Sequence, residues 1–168
     1  LLVVNSMRPS RGGGSSFTPR RLDAGDVSAL QHNLTGVTAV SAAASTQSRV
    51  VYGSQNLAVQ VTGTDNEYFV ARDWAVALGR NFTDAELRGG SDVCLLGETV
   101  RKEFFGAGNP DGAVLRVGRM SCNVIGVLES KGTSGFGQDQ DNIVVMPLSG
   151  FQRLIARNRY VDTIYVAG

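Results

Sequence analysis

Two aspartates, Asp139 and Asp141, are the residues of this sequence whose type and spacing come nearest to a catalytic or metal-binding pair. They end a polar, glycine-rich stretch that begins at Lys131 and reads Lys-Gly-Thr-Ser-Gly-Phe-Gly-Gln-Asp-Gln-Asp. A calcium loop of the EF-hand kind needs a glycine at its sixth position and a glutamate at its twelfth. Counted from Asp139, those positions hold Val144 and Gly150. The pattern therefore favours a solvated loop, or a loop that contacts a partner, over a calcium site or a carboxylate-based enzyme.

The other common signatures of catalysis are absent from the sequence. His32 is the sole histidine, and no Gly-x-Ser-x-Gly motif is present, which disfavours a serine hydrolase. No Gly-x-x-x-x-Gly-Lys-Ser/Thr motif is present, so this chain has no P-loop for a nucleotide. Gly132, Gly135 and Gly137 lack the strand-turn-helix context of a dinucleotide site. These absences predict that the chain is not an enzyme and holds no cofactor or metal.

The two cysteines, Cys94 and Cys122, each lie inside an apolar stretch. Free cysteine behaves as a small core hydrophobe, and this is the interpretation that the surroundings favour. Their separation matches no zinc-binding spacing. A disulfide between them in an oxidising compartment stays open, because the sequence does not reveal their redox state.

Composition narrows the class of protein further. The 168 residues are 42% hydrophobic and 18% charged, with a formal net charge of +1, which suits one compact domain or two small lobes. Acidic and basic residues are interspersed, so nothing indicates a nucleic-acid partner. No apolar run of about 18 residues is present. The chain starts at Leu1 rather than Met, and Leu1–Val4 is compatible with the tail of a longer apolar segment. Both features fit a piece of a larger protein.

The elements that would position these residues alternate between helices and short strands. Residues 8–21 are rich in Gly, Ser and Arg and predict a flexible loop, and Asp23 begins a helix that ends near Gly36. Arg49–Tyr52 and the alternating Leu57–Val61 flank Gly53–Asn56, which predicts a β-hairpin. A short helix carrying Tyr68 and Phe69 follows, for which Asp65 is the predicted cap.

The second half continues the mixture. Thr83 and Glu86 match a capping box, and Asn109–Gly112 predicts a turn. The remaining predicted elements are strands at Val93–Leu96, Val114–Val117, Cys122–Leu128, Ile143–Met146 and Val161–Val166, and helices at Glu98–Phe105 and Pro147–Ile155. Phe151 and Leu154 are predicted to face the core from the last helix. The fold class that follows is α+β.

The order of segments resembles that of the MacB-like periplasmic core domain of ABC transporter permeases, in the FtsX-like permease superfamily. The resemblance rests on short motifs that keep a common order over most of the chain. They are Leu22–Leu30, Val50–Gly53, Gly63-Thr64, Glu67–Phe69, Trp74, Gly79-Arg80, Phe82-Thr83, Leu96-Gly97, Phe105-Gly106, Asn109–Gly112, Val124–Leu128, Gly135–Asp141 and Val145–Leu148.

The resemblance implies a two-lobed domain on the periplasmic or extracellular side of the bacterial inner membrane. It implies a flexible segment at 1–21 after a membrane helix, a porter-like lobe from 22–71 and 141–168, and a smaller β-rich insert at 72–140. ATP hydrolysis would take place on a separate nucleotide-binding domain. This chain would transmit the resulting movement for export or extraction of a substrate.

The resemblance also implies partners. They are the protein's own membrane helices, a nucleotide-binding domain and a periplasmic adaptor protein, in a permease that is dimeric although the excised domain is a monomer. The residues expected to contact a partner are Gly135, Phe136, Gln138, Asp139 and Asp141, because Phe136 is an apolar anchor in a polar loop. The alternative is an extracytoplasmic sensory or ligand-binding domain without a transport motor.

Overall fold

The structure is a computed structural model that describes residues 2–5, 39–132, 139–156, 161 and 163–167. Its strands are β1 (Leu2–Asn5), β2 (Ala39–Tyr52), β3 (Gln55–Thr64), β4 (Val76–Gly79), β5 (Val93–Leu96), β6 (Val114–Val117), β7 (Met120–Leu128), β8 (Ile143–Pro147) and β9 (Thr163–Ala167). Its helices are α1 (Glu67–Ala71), α2 (Asp84–Gly89), α3 (Glu98–Phe105) and α4 (Leu148–Phe151), the last continuing as a π-helix (Gln152–Ala156). This mixture of helices and strands confirms the α+β class.

Six strands pair in a closed ring. In order round the ring they are β2, β3, β8, β5, β7 and β6, and β6 returns to β2 through Val50↔Val117 and Val51↔Arg116. The β3–β8 and β5–β7 pairs are parallel and the other four are antiparallel. β4 adds to β7 outside the ring. The ring is a small β-barrel, and small barrels of this kind are filled by inward-facing side chains.

Alternate residues of the ring strands form one buried apolar cluster, because successive side chains of a strand point to opposite faces. The cluster takes Val59 and Val61 from β3, and Leu115 and Val117 from β6. β5, β7 and β8 contribute in the same alternating way, with Cys94, Leu96, Cys122, Val124, Val144 and Met146. The cluster therefore fills the barrel.

The opposite faces of the same strands build a second cluster. Leu95, Ile125 and Val145 face outward from the barrel and are covered by aromatic side chains of α1 and of the segment after it. Those aromatics are Tyr68, Phe69, Trp74 and Phe82. α1 and the segment around β4 are thus held to the barrel by burial of large aromatic surfaces.

A second small sheet joins the described ends of the chain. β1 pairs antiparallel with β9, and β9 pairs with the first residues of β2, from Ala39 to Ala43. The later residues of β2, from Ala44 to Tyr52, pair with β3 in the barrel. One continuous strand of 14 residues therefore belongs to both sheets.

Most elements predicted from the sequence are confirmed, but both hairpin strands are longer than predicted, since β2 begins at Ala39 and β3 spans Gln55–Thr64. The hairpin turns at Gly53 and Ser54, and Thr83 caps α2 in a full capping box with Glu86. The predicted loop at 8–21 and the helix that starts at Asp23 lie outside the described residues. Within the described ranges, no helix is both long enough and apolar enough to cross a membrane.

The prediction for Leu154 was wrong. Phe151 is buried as expected, but the α-helix ends there and the π-helix that follows leaves Leu154 37% exposed. A π-turn holds more residues per turn than an α-turn, so later side chains are rotated from the positions that α-helical spacing predicts. Ile155, one residue later, packs against the barrel core instead.

Candidate interaction site

The polar loop between β7 and β8 has a firmly bonded base. Asp141 is 4% exposed, and its carboxylate accepts hydrogen bonds from Ser130 Oγ at 3.0 Å, from the Lys131 backbone N–H at 2.7 Å and from the Gly132 backbone N–H at 3.0 Å. The Gln140 N–H donates to the Gly132 carbonyl at 3.1 Å. A buried carboxylate needs such partners, so Asp141 ties the two strands of the loop together where the loop leaves the barrel.

Asp139 extends the same base toward α3. Its Oδ1 accepts from the Asp141 N–H at 2.9 Å, and its Oδ2 accepts from Thr99 Oγ1 at 2.6 Å. Both aspartates therefore bond to the loop and its support rather than converging on an open site. No group of His, Cys, Asp and Glu that could hold a metal ion occurs in the described part of the chain. The arrangement suits the presentation of a loop better than acid–base or metal chemistry.

Of the predicted contact residues, the structure brings Asp139 and Asp141 together. Gly135, Phe136 and Gln138 lie outside the described residues. A role for all five in partner contact therefore stays a prediction.

A cationic and aromatic cluster lies beside the loop base. Trp74 is buried and donates from Nε1 to the Glu129 carbonyl at 2.8 Å. The Arg72 guanidinium lies 5.3 Å from the ring centroids of both Trp74 and Tyr68, and Lys131 Nζ lies 5.3 Å from that of Trp74. These are cation–π distances.

The two cations are also linked to each other and to the loop. Lys131 Nζ donates to the Arg72 carbonyl at 2.8 Å, and Arg72 donates to Gln140 Oε1 at 3.3 Å. Burial lowers the pKa of Lys131 from its usual value, and the nearby charge of Arg72 lowers it further. The sequence did not lead us to pair Arg72 with Lys131. The signal that could have indicated the cluster is Arg72 itself, a cation two residues before the sole tryptophan, Trp74.

A buried polar group marks the junction of the two sheets. Ser41 Oγ donates to Asp65 Oδ1 at 2.8 Å and lies 3.1 Å from Thr64 Oγ1, which donates to the Ala42 carbonyl at 2.7 Å. Asp65 also accepts from the Tyr68 N–H in the first turn of α1 at 3.2 Å, although the N-cap position is held by Asn66 and not, as predicted, by Asp65. Burial raises the pKa of Asp65 above its usual value, partly offset by the Ser41 hydrogen bond.

The cysteines form a disulfide inside the barrel. Cys94 of β5 and Cys122 of β7 are bonded, with Cα atoms 5.9 Å apart, and both side chains are almost fully buried. The sequence favoured two free thiols packed as hydrophobes, and this differs from the structure. The parallel pairing of β5 and β7 brings the two residues within bonding distance, which local sequence does not reveal.

Comparison with known proteins gives one consistent result. Residues 1–167 match the family described as MacB-like periplasmic core domain. The macrolide export ATP-binding/permease protein MacB of Bdellovibrio bacteriovorus is 33% identical over 167 residues, which cover 98% of this chain and 25% of that protein. The pyoverdine export ATP-binding/permease protein PvdT of Pseudomonas aeruginosa is 30% identical over 118 residues, or 70% of this chain and 18% of that protein.

Solved structures agree at the level of the fold. The periplasmic region of MacB from Actinobacillus actinomycetemcomitans superposes with a TM-score of 0.78 at 21% identity, covering 98% of this chain and 72% of that one. The extracellular domain of the noncanonic ABC-type transporter YknZ from Gram-positive bacteria gives 0.73 at 20% identity, covering 87% and 72%. The chain spans about a quarter or less of the length of the curated relatives that it matches.

Proposed function

The chain belongs to the family of MacB-like periplasmic core domains, and from that premise we propose that it carries ATP-driven movement from the membrane to partner proteins outside it. It is the periplasmic domain of a MacB-like ABC transporter permease and has no catalytic role of its own. Nucleotide hydrolysis would belong to another domain of the whole protein. The relatives named as export proteins support export as the direction of transport.

The observation that carries the proposal is the sharing of β2 between two sheets. The described ends of the chain meet in β1 and β9, with Leu2 opposite Val166. β9 is hydrogen-bonded to the start of β2, whose other half is a wall of the barrel. Membrane helices attached at these ends would move one edge of one sheet. That movement would reach the barrel through a continuous strand rather than a loop.

The filling of the barrel supports its movement as a rigid body. A closed ring has no free edge along which strands slide easily, and the disulfide ties β5 to β7 from the inside. Residues from both predicted lobes contribute strands to the same ring, with β5, β6 and β7 from 72–140 and β8 from 141–168. The two-lobe division remains a proposal. The rigid-body mechanism requires residues 72–140 and 141–168 to move together where their strands share the barrel.

Spin labels in the full-length protein test the rigid-body mechanism. One pair of labels, at Ser54→Cys and Ala85→Cys, reports distances within the domain, since both residues are exposed. A single label at Ser54→Cys reports the distance between two protomers of the proposed dimer. We expect electron–electron distance measurements to show that ATP changes the distance between protomers and leaves the internal distance constant.

Two outcomes would contradict this mechanism. A change in the internal distance would mean that the barrel deforms. If ATP leaves the distance between protomers unchanged, a sensory or ligand-binding domain without a motor would be favoured. A variant of the nucleotide-binding domain that cannot hydrolyse ATP is the control for effects of nucleotide binding alone.

The second part of the proposal is that residues 132–141 form a contact loop for a periplasmic adaptor. The bonded base around Asp141 and Asp139 supports it, because a fixed base lowers the entropy lost when the loop binds. Phe136 would supply the apolar anchor. Anchor residues of this kind cost about 2 kcal/mol or more when truncated, which is roughly a 30-fold loss of affinity.

Phe136→Ala is the variant that tests the contact loop. We expect it to weaken adaptor binding about 30-fold in a surface plasmon resonance titration, while the melting temperature stays unchanged. Val70→Ala removes an apolar side chain that is 61% exposed elsewhere on the domain and serves as the matched control. If Phe136→Ala lowers the melting temperature and leaves adaptor binding intact, the Phe136 side chain packs on its own domain and the proposed contact with the adaptor is wrong.

A further inference from the structure

The disulfide is closed off from solution in the complete barrel. Cys94 is 0% exposed and Cys122 is 1% exposed, and both side chains belong to the apolar cluster that fills the ring. Val144 and Met146, the inward-facing residues of β8, belong to the same cluster. Thiol–disulfide exchange needs a thiolate that the incoming disulfide can reach. Two thiols at these positions of the closed barrel would therefore be inert toward an oxidant.

β8 is the last strand of the ring in chain order, and it is the strand that closes the ring. It is hydrogen-bonded to β3 on one side and to β5 on the other. Without it, the other five strands form an open sheet in the order β3, β2, β6, β7 and β5. Both cysteines lie on the adjacent strands β5 and β7, on the face of this sheet that becomes the interior of the barrel. An oxidant can reach them there until β8 arrives.

The loop that the bond closes lies entirely within one part of the chain. Cys94 and Cys122 are 28 positions apart, and the residues between them form α3 and β6. No residue of β2, β3 or β8 is needed to bring β5 beside β7. The bond can therefore form before the ring is complete, and its formation would fix one of the two parallel strand pairs in place.

We propose that the bond between Cys94 and Cys122 is made before β8 closes the barrel, by a thiol–disulfide oxidoreductase outside the cytoplasm that binds this chain transiently. This assigns the domain a partner that acts during folding and that is separate from the partners in transport. The inference goes beyond the function proposed above.

The time available favours an enzyme over a small-molecule disulfide as the oxidant. β8 ends at Pro147, about 25 positions after Cys122. In a chain that crosses the membrane as it is made, at about 5–20 residues per second, those positions follow within about 1–5 s. Disulfide formation takes from seconds to hours, depending on the oxidant. An oxidation at the fast end of that range, which a protein catalyst provides, fits the interval.

The oxidation balances as two thiol–disulfide exchanges. The thiolate of Cys94, which emerges first, attacks the disulfide of the oxidoreductase, so that a mixed disulfide forms and one thiolate of the enzyme leaves. The thiolate of Cys122 then attacks the Cys94 sulfur. This step forms the bond within the chain and releases the second thiolate of the enzyme. The chain loses two electrons and two protons, and the oxidoreductase takes them up as its dithiol.

The test follows newly made full-length protein in a bacterial host whose extracytoplasmic thiol–disulfide oxidoreductase is present or deleted. Cells are pulse-labelled and quenched with acid, and free thiols are then labelled with a polyethylene-glycol maleimide that shifts the protein on a gel. The Cys94→Ala/Cys122→Ala variant identifies shifts that come from cysteines elsewhere in the protein. We expect the deletion to lower the bonded fraction at least tenfold directly after the pulse.

Oxidised glutathione separates the order of events from the need for an enzyme. In the deletion host it is supplied either throughout synthesis or several minutes after synthesis has been stopped. We expect at least tenfold more bonded protein in the first case, because the later oxidant meets a closed barrel. Ser54→Cys in the background of Cys94→Ala/Cys122→Ala is the matched control. Its exposed thiol should form a mixed disulfide with glutathione equally at both times.

Trypsin digestion of spheroplasts from the same samples establishes whether the reduced domain has folded. The proposed order is overturned if the reduced domain resists trypsin and late glutathione oxidises it as fully as early glutathione. If trypsin degrades the reduced domain and not the oxidised one, the barrel does not close without the bond, which supports the order. An equal bonded fraction in the two hosts after the pulse overturns the oxidoreductase as the partner.

Discussion

At the scale of single residues, the capping box of α2 shows how a short sequence signal becomes a measurable interaction. Thr83 Oγ1 accepts from the Glu86 N–H at 3.1 Å, and Glu86 accepts from the Thr83 N–H at 2.9 Å. Arg80 adds an ion pair to Glu86 at 2.7 Å. The hydrogen bond from Arg80, and to a lesser extent that from Thr83, lowers the pKa of Glu86 to about 2. The sequence predicted the box but not Arg80 as its third member.

Glu86→Gln tests this interaction through its pH dependence. The folded-state pKa is lowered, so the stabilisation is present above the ordinary value near 4.5 and is lost as the pH falls toward 2. Because Arg80 is half exposed, we expect a loss of only about 1 kcal/mol at pH 7. Urea unfolding at pH 7, 4 and 2.5 measures it, and the difference from the unsubstituted protein should shrink as the pH falls.

Glu103→Gln is the matched control for that measurement. Glu103 is an exposed glutamate of α3, without an ion pair to any described residue. A pH-independent difference for Glu86→Gln, or the same difference for both variants, would show that the ion pair with Arg80 contributes nothing.

At the scale of elements, the start of α3 is fixed by a close backbone approach. Gly97 caps α3 and donates its N–H to the Ile143 carbonyl at 2.8 Å. A Cβ at this position would overlap the carbonyl oxygen of Asp141. The base of the polar loop and the start of α3 are therefore in contact through a residue that has no side chain.

We expect Gly97→Ala to push the base of the polar loop away from the start of α3 and so to destabilise the domain. The overlap involves backbone atoms that have little room to move, so we expect a loss of about 1–3 kcal/mol in the free energy of unfolding. Gly89→Ala, in α2, is the control, because its nearest atom lies 3.9 Å from the added methyl group. Chemical denaturation of both variants measures the difference. Equal stability of the two would contradict the close approach.

Local signals predicted the elements well, and their long-range pairing poorly. The hairpin, the capping box, β5, α3 and the strand before Leu148 follow from periodicity and turn residues within about ten positions. The return of β6 to β2 does not, because it joins Val117 to Val50 and depends on the shape of the whole sheet. Leu154 was mispredicted for a related reason, since a π-turn has no clear sequence signal.

The candidate site was likewise predicted only in part, because its residues were identified from the sequence but their contacts were not. Asp139 and Asp141 could be identified because their type and spacing are unusual in the sequence. Their actual role as a bonded loop base depends on Thr99, which lies 40 positions before Asp139. The cation–π cluster could not be predicted, because it arises from elements that meet only in the folded chain.

At the scale of the whole molecule, the disulfide is expected to contribute much of the stability of the barrel. Cys94 and Cys122 are separated by 28 positions, and closing a loop of that size in the unfolded chain gives about 3–4 kcal/mol. We expect Cys94→Ala/Cys122→Ala to lower the melting temperature by about 10 °C. Differential scanning calorimetry measures the change.

A reduced form of the unsubstituted protein is the control for that experiment. It keeps both sulfur atoms in the core and lacks only the bond, so it separates the effect of the cross-link from that of the cavity left by alanine. A reduced protein as stable as the oxidised one would show that the cross-link itself adds nothing.

The parallel pairing of β3 with β8 also dictates the order in which this domain can assemble. Gln60 pairs with Ile143, about 80 positions later in the chain. Pairs this far apart form late, because closing so long a loop costs entropy before any contact is gained. Chains emerge from synthesis at about 5–20 residues per second, so the β2–β3 hairpin waits roughly 4–16 seconds for its partner. During that interval the strand edge that β8 later covers is open to other chains. We therefore expect newly made copies to be prone to aggregation until the second half of the domain has been made.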